Sequence, residues 1–111
     1  MRCKEFCVYI MASFSRTLYV GMTSNLKQRV YQHKHKVFPG FTAQYNASRL
    51  VYWEPAPDAM SAILREKELK RWTRERKVKL IEFRNPKWED LAARWFLPPR
   101  RTRFDAGPFS T

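Results

Sequence analysis

Negative charge is scarce in this chain. Asp and Glu number 10 against 22 Lys and Arg over 111 residues, so the formal net charge is +12. Such an excess favours polyanionic partners through counterion release. Charge alone leaves a nuclease, an RNA binder, a DNA binder and a ribosome-bound basic protein all open. Long apolar runs are also missing: no stretch approaches the roughly 18 residues that span a bilayer, which argues against a membrane partner. No apolar segment with a small-residue cleavage site follows Met1-Arg2-Cys3-Lys4-Glu5, so the expected location is the cytoplasm. Cysteine and histidine are scarce, and a CxxxC pair, Cys3 and Cys7, with only His33 and His35 elsewhere is a poor zinc signature. Both thiols are expected reduced, with Cys7 acting as a small hydrophobe inside a strand. The chain has no internal repeat. What it has in quantity is apolar material, 44% hydrophobic and 15% aromatic, enough for a core of one ordinary domain.

Phe6 to Met11 reads as a strand of β-branched and aromatic residues. Its alternation sets Phe6, Val8 and Ile10 on one face and Cys7, Tyr9 and Met11 on the other. A polar stretch, Ala12 to Arg16, suits a hairpin loop, and Thr17 to Gly21 reads as the return strand. A register that joins the aliphatic faces also puts Tyr9 and Tyr19 on one side. Thr23-Ser24-Asn25 offers caps for a helix over about 26–36, with Leu26, Val30 and Val37 as its apolar stripe. Pro39-Gly40 breaks that pattern. A third strand is expected over 49–54, ended by Pro55 and Pro57. Helices follow over about 58–73, capped by Asp58, then 75–83, then a short one over 88–95. The order β-β-α-β-α-α-α defines an α+β domain with a small sheet. It occupies 1–96 and leaves 97–111 as a basic, proline-containing tail expected to be flexible.

Three features fit packing poorly. The first is the Tyr9 and Tyr19 pair, which could simply fill a half-buried sheet face. A phenol can also accept or relay a proton, given a cationic or hydrogen-bonded setting. The second is Arg29 with His33, spaced i, i+4 on or beside the apolar stripe. They either snorkel to the helix edge or line a pocket, where arginine would grip a phosphate with its planar fork. His35 lacks this placement and reads as surface. The third is Glu66, a carboxylate in the middle of the arc carrying Ala59, Ala62, Ile63 and Leu69. It requires a counter-ion such as Lys70 or Arg29, or a bound divalent metal.

Taken together, Val8-Tyr9-Ile10, Leu18-Tyr19-Val20-Gly21, Arg29, and Glu66 within Arg-Glu-Lys-Glu-Leu-Lys-Arg-Trp resemble the GIY-YIG nuclease family. Pro39-Gly40-Phe41-Thr42, Arg49-Leu50-Val51-Tyr52 and Asn85-Pro86-Lys87-Trp88-Glu89-Asp90-Leu91 point to its small stand-alone bacterial branch. The likeness runs over roughly residues 6 to 95. It implies a three-stranded antiparallel sheet flanked by helices and a metal-dependent endonuclease acting on DNA phosphodiesters. By that likeness Tyr19 is the general base and Tyr9 supports it. Gly21 allows close backbone approach, and Arg29 holds the scissile phosphate. His33 stands where relatives carry His or Tyr, and Glu66 binds one Mg²⁺ or Mn²⁺. Asn85 matches a later asparagine that closes the site, and Lys70 is placed with the substrate-binding residues.

The match has departures. The first motif lacks its leading glycine, and Met22 stands where some relatives carry lysine. No second DNA-binding domain accompanies the motifs, and no small-molecule cofactor is implied. The competing reading is a non-catalytic nucleic-acid-binding module using Arg74, Arg76, Lys77 and Lys79. An inward carboxylate at Glu66 favours the enzyme, because plain binding has no use for it.

Overall fold

A computed structural model of the chain describes residues 6–35 and 47–96. Three strands form one antiparallel sheet: β1, Phe6–Ala12; β2, Leu18–Thr23; and β3, Arg49–Ala56, in the order β2-β1-β3. Three helices accompany them among the described residues: α1, Leu26–Lys34; α2, Ala59–Arg71; and α3, Arg74–Arg84. The expected strands and first three helices are all present, with ends shifted by a few residues. Val37, the Pro39-Gly40 break and the 97–111 tail lie outside the described residues.

β1 is the central strand, and packed layers cover both of its faces, so its sequence reads as an unbroken apolar run. Val8, Ile10 and Ala12 join Val20, Val51, Ala62, Leu69, Ile81 and Trp88 in one core layer, closed by α2 and α3. Cys7, Tyr9 and Met11 join Leu26, Val30, Leu50 and Ala92 in a second layer, closed by α1. Each fully buried aliphatic side chain contributes on the order of 1.5–3 kcal/mol relative to exposure. The two layers therefore fix which face of β1 meets which helix.

Local chemistry sets the element ends. The side chains of Asn25, Asp58 and Thr73 accept from the backbone N–H groups of Gln28, Ser61 and Arg76 at the three helix starts. The β1–β2 loop closes through Ser13 N–H to Thr17 O, 3.0 Å, with Arg16 at φ 67°. Pro55 does not end β3 as expected. It lies within the strand opposite Cys7, which is tolerated because β3 is an edge strand and proline there forfeits no ladder bond to a further neighbour. Between Ile10 and Met11 the register slips by one residue, so Val51 is the extra residue of a bulge.

Two further expectations are corrected. Residues 88–95 do not form a helix: 91–96 run as successive turns. Trp88 sits at φ 56°, a left-handed conformation that cannot start a right-handed helix. Just beyond it the Asp90 carboxylate takes the N–H groups of Leu50 and Ala92, both at 3.0 Å, and Leu91 N–H bonds to Leu50 O at 2.8 Å. This backbone is tied to the edge of β3, and its internal bonds, Ala93 N–H to Asp90 O and Trp95 N–H to Ala92 O, both 3.1 Å, close turns and not an α-helix. Second, Cys7 is disulfide-bonded and not a reduced thiol; Cys3 lies outside the described residues. Thiol oxidation state follows from compartment and geometry, and composition carries neither.

Candidate active site

The β1–β2 register pairs Tyr9 with Gly21 and Met11 with Tyr19. Residues two apart share a face, so both tyrosines project toward α1. Their ring centroids are 6.4 Å apart. His33, from the inward face of α1, lies against both, at 5.5 Å from the Tyr9 ring and 5.0 Å from the Tyr19 ring. Tyr9 Oη and His33 Nε2 are 3.0 Å apart in a buried hydrogen bond. Arg29, one turn earlier on α1, lies close enough to the Tyr9 phenol for its charge to favour the ionised form. The i, i+4 spacing of Arg29 and His33 thus turns both toward Tyr9.

Gly21 has a specific steric role here. A Cβ at that position would lie 2.5 Å from Tyr9 Oη and 2.7 Å from Cζ. The space above Gly21 is filled by the Tyr9 ring, so the close approach that Gly21 permits is one made by protein. Gly21→Ala is expected to displace Tyr9 and to lose 1–3 kcal/mol of stability, the usual range for overpacking. Urea unfolding measures this, and an unchanged midpoint would show that the ring is not confined.

The electrostatics of the cluster keep Tyr9 and His33 neutral beside Arg29. Burial raises the Tyr9 pKa above its ordinary 10, and the neighbouring Tyr19 and the Glu66 carboxylate add to the rise, while Arg29 opposes it. Burial, followed by the Arg29 charge, pushes the His33 imidazole down to about 4. At neutral pH Tyr9 is an uncharged phenol and His33 an uncharged imidazole. Tyr9 is fully buried while Tyr19 is only half-buried, so Tyr19 is the phenol within reach of water.

Glu66 projects from α2, flanked by buried Ala62 and Leu69. Its side chain is 20% exposed and pairs with Lys70 Nζ at 3.1 Å; Lys70 itself is 52% exposed. A pair this open contributes under about 1 kcal/mol and can be exchanged for another cation. The influence of Glu66 on the Tyr9 pKa places its charge within electrostatic reach of that phenol. Among the described residues there is no group of three or more His, Cys, Asp or Glu side chains suited to a metal. A lone, partly open carboxylate still fits Mg²⁺, which keeps several waters and is commonly held by one or two carboxylates plus substrate phosphate.

Asn85 is placed differently. It is buried at the C-cap of α3, and its amide Nδ2 donates to Val51 O at 3.1 Å and to Glu89 O at 2.8 Å. Its Oδ1 accepts from Glu89 N–H at 2.9 Å. Both amide hydrogens are committed to protein, so Asn85 ties the 85–89 turn to β3.

Sequence reasoning missed a charged network that orients α2. Arg65 Nε donates to Glu54 Oε2 at 2.7 Å and its Nη1 to Glu68 Oε1 at 3.0 Å. Tyr52 Oη donates to Glu54 Oε1 at 2.5 Å. Burial and the Glu54 carboxylate push the Tyr52 phenol up to about 12. Arg65 adjoins Glu66, so its anchorage to β3 fixes the rotation of the helix that carries Glu66. A second tie, Lys34 to Asp90 with Lys34 Nζ also on Ser48 O at 3.0 Å, secures the end of α1 beside His33. Neither tie has a periodic signature, because each joins residues distant in sequence.

Residues 5–79, which contain the sheet, the tyrosines, the arginine and the glutamate just described, match the model of the GIY-YIG catalytic domain. The chain belongs to the GIY-YIG family and, within it, to the UPF0213 proteins. It is 32% identical over 83 residues to a UPF0213 protein of Clostridium perfringens, covering 75% of this chain and 89% of that one. A UPF0213 protein of Staphylococcus haemolyticus is 36% identical over 81 residues, covering 69% and 94%. The solution structure of the UPF0213 protein BH0048 from Bacillus halodurans superposes with a TM-score of 0.50 at 25% identity, covering 77% and 90%. Membership implies a nuclease-type function with nucleic acid, DNA, as substrate, and GIY-YIG nucleases generally use a divalent metal. No helix among the described residues is long and apolar enough to cross a membrane.

Proposed function

We propose that the chain is a metal-dependent endonuclease that hydrolyses DNA phosphodiester bonds, with Tyr19 as general base. The observation that carries this reading is the convergence of Tyr9, Tyr19, Arg29 and His33 in one cluster whose electrostatics Glu66 reaches. Arg29 binds the scissile phosphate and offsets the charge that develops on it. Tyr9 stays protonated, holds His33 and fixes the Arg29 guanidinium. Tyr19, more open to solvent, takes the proton from the attacking water. Glu66 would hold one Mg²⁺ or Mn²⁺, which when bound supplies charge neutralisation at the phosphate and the leaving oxygen. Lys70, released from Glu66, is available to the substrate backbone. Asn85 contributes by anchoring the turn that borders β3.

Tyr19→Phe removes only a hydroxyl and is expected to lower kcat by about 10²-fold, the scale of general-base catalysis. KM and thermal stability should change little. An unchanged kcat would move the base to another group. The broader test is cleavage of labelled single-stranded, duplex and branched DNA with Mg²⁺ or Mn²⁺, beside an EDTA control. Cutting that EDTA abolishes supports the enzyme. Salt-sensitive binding with no cutting in any metal would instead favour a non-catalytic module that keeps the fold.

A further inference from the structure

The surface of α3 remote from the core has no role in the cluster just described. Trp72, Arg76, Lys79, Leu80 and Phe83 line an open trough of about 400 Å³. Leu80 is half-buried, whereas Phe83 is 85% exposed. A ring so exposed adds nothing to the core, and with Trp72 and Leu80 it forms one contiguous apolar strip, which unlike a lone exposed residue marks a recognition surface. The Arg76 guanidinium lies over the Trp72 ring at 4.1 Å from its centroid, which holds its donor fork in place. Among the described residues, no ion pair engages Arg76 or Lys79. The trough has no acidic lining. Glu82, nearby on α3, is turned to Trp88, whose Nε1 donates to it at 2.7 Å.

We propose that this trough is a second nucleic-acid contact, taking an unpaired flank of the substrate, with a base stacked on Phe83 and phosphates on Arg76 and Lys79. The proposal rests on the nuclease-type reading of the chain. Three observations favour a single strand over other occupants. The lining charge is wholly positive, so the ligand is an anion. An exposed aromatic side chain stacks on any base face, which a closed duplex does not offer along its length. Finally, Trp72 follows Glu66 by six residues, about 9 Å along the α2 axis. A segment of a few nucleotides spans that axial distance.

The test is binding of the full chain, in EDTA, to fluorescent oligo(dT) and to a blunt duplex of equal length, across a salt series. Phe83→Ala is expected to weaken oligo(dT) binding about tenfold, as loss of one stacking platform does. Phe83→Trp should restore it, and the duplex Kd should change less than twofold. Lys79→Ala should reduce the salt slope by about 1. Phe83 lies on the surface, so its replacement leaves folding intact, which circular dichroism checks. Equal weakening on both ligands would overturn the stacking proposal in favour of general charge attraction. Wild-type chain that binds and cuts DNA, with unchanged Kd in both variants, would overturn the trough and leave the nuclease reading standing. Wild-type chain that binds neither ligand at low salt would overturn both.

Discussion

Glu66→Ala should reduce single-turnover DNA cleavage in Mg²⁺ by about 10³-fold or more while leaving DNA affinity intact or slightly higher. The first half follows from the proposed metal role, since charge neutralisation by a bound cation is worth several kcal/mol and each 1.36 kcal/mol is tenfold. The second half follows from electrostatics, because the substitution removes one negative charge from a chain that already carries +12. Stability should fall by less than about 1 kcal/mol, as only the open pair with Lys70 is lost. Glu66→Gln, which keeps the shape, should behave like Glu66→Ala. Cleavage by either variant at the wild-type rate would remove Glu66 from the metal site. A collapse in melting temperature would instead show that Glu66 holds the fold.

Those expectations could be framed because the key residues were legible from periodicity. Alternation placed Tyr9 and Tyr19 on one sheet face, and the helical repeat placed Arg29 and His33 on one side of α1. Glu66 stood out because its neighbours at helical spacing, Ala62 and Leu69, are buried. What periodicity cannot supply is the partner across space. The dependence of Gly21 on the Tyr9 ring needs the strand register. The Glu54–Arg65 tie needs the crossing of β3 and α2. Residues 88–95 have the apolar spacing of a helix but none of its backbone bonding, because Asp90 and Leu91 are claimed by Leu50. Asn85 was identified by position, yet its amide is bound to protein, an assignment that only the geometry of Val51 and Glu89 makes visible.

Arg29 is the residue on which both the chemistry and the electrostatics of the cluster converge, and its removal has two separable consequences. Arg29→Ala should lower kcat by about 10²–10³-fold, the range seen when one preorganised donor to a developing oxyanion is lost. Arg29→Lys should recover little of this, because an ammonium lacks the planar fork that grips two phosphate oxygens and the Tyr9 phenol together. The second consequence is read without substrate. Arg29 is one of two causes holding the His33 imidazole at about 4, burial being the larger. Taking the guanidinium away should raise the His33 pKa part of the way toward 6.5, as followed by NMR titration of the imidazole. In the wild type the folded value lies below the unfolded one. The neutral His33 therefore contributes its stability in full above pH 6.5, and loses it as pH falls toward 4, a contribution of up to about 3 kcal/mol. In Arg29→Ala the window narrows from its acidic end and the stability lost on acidification shrinks. An unmoved His33 titration would show that the guanidinium does not act on the imidazole. A kcat that survives the alanine would show that the phosphate is held by some other cation of this basic chain.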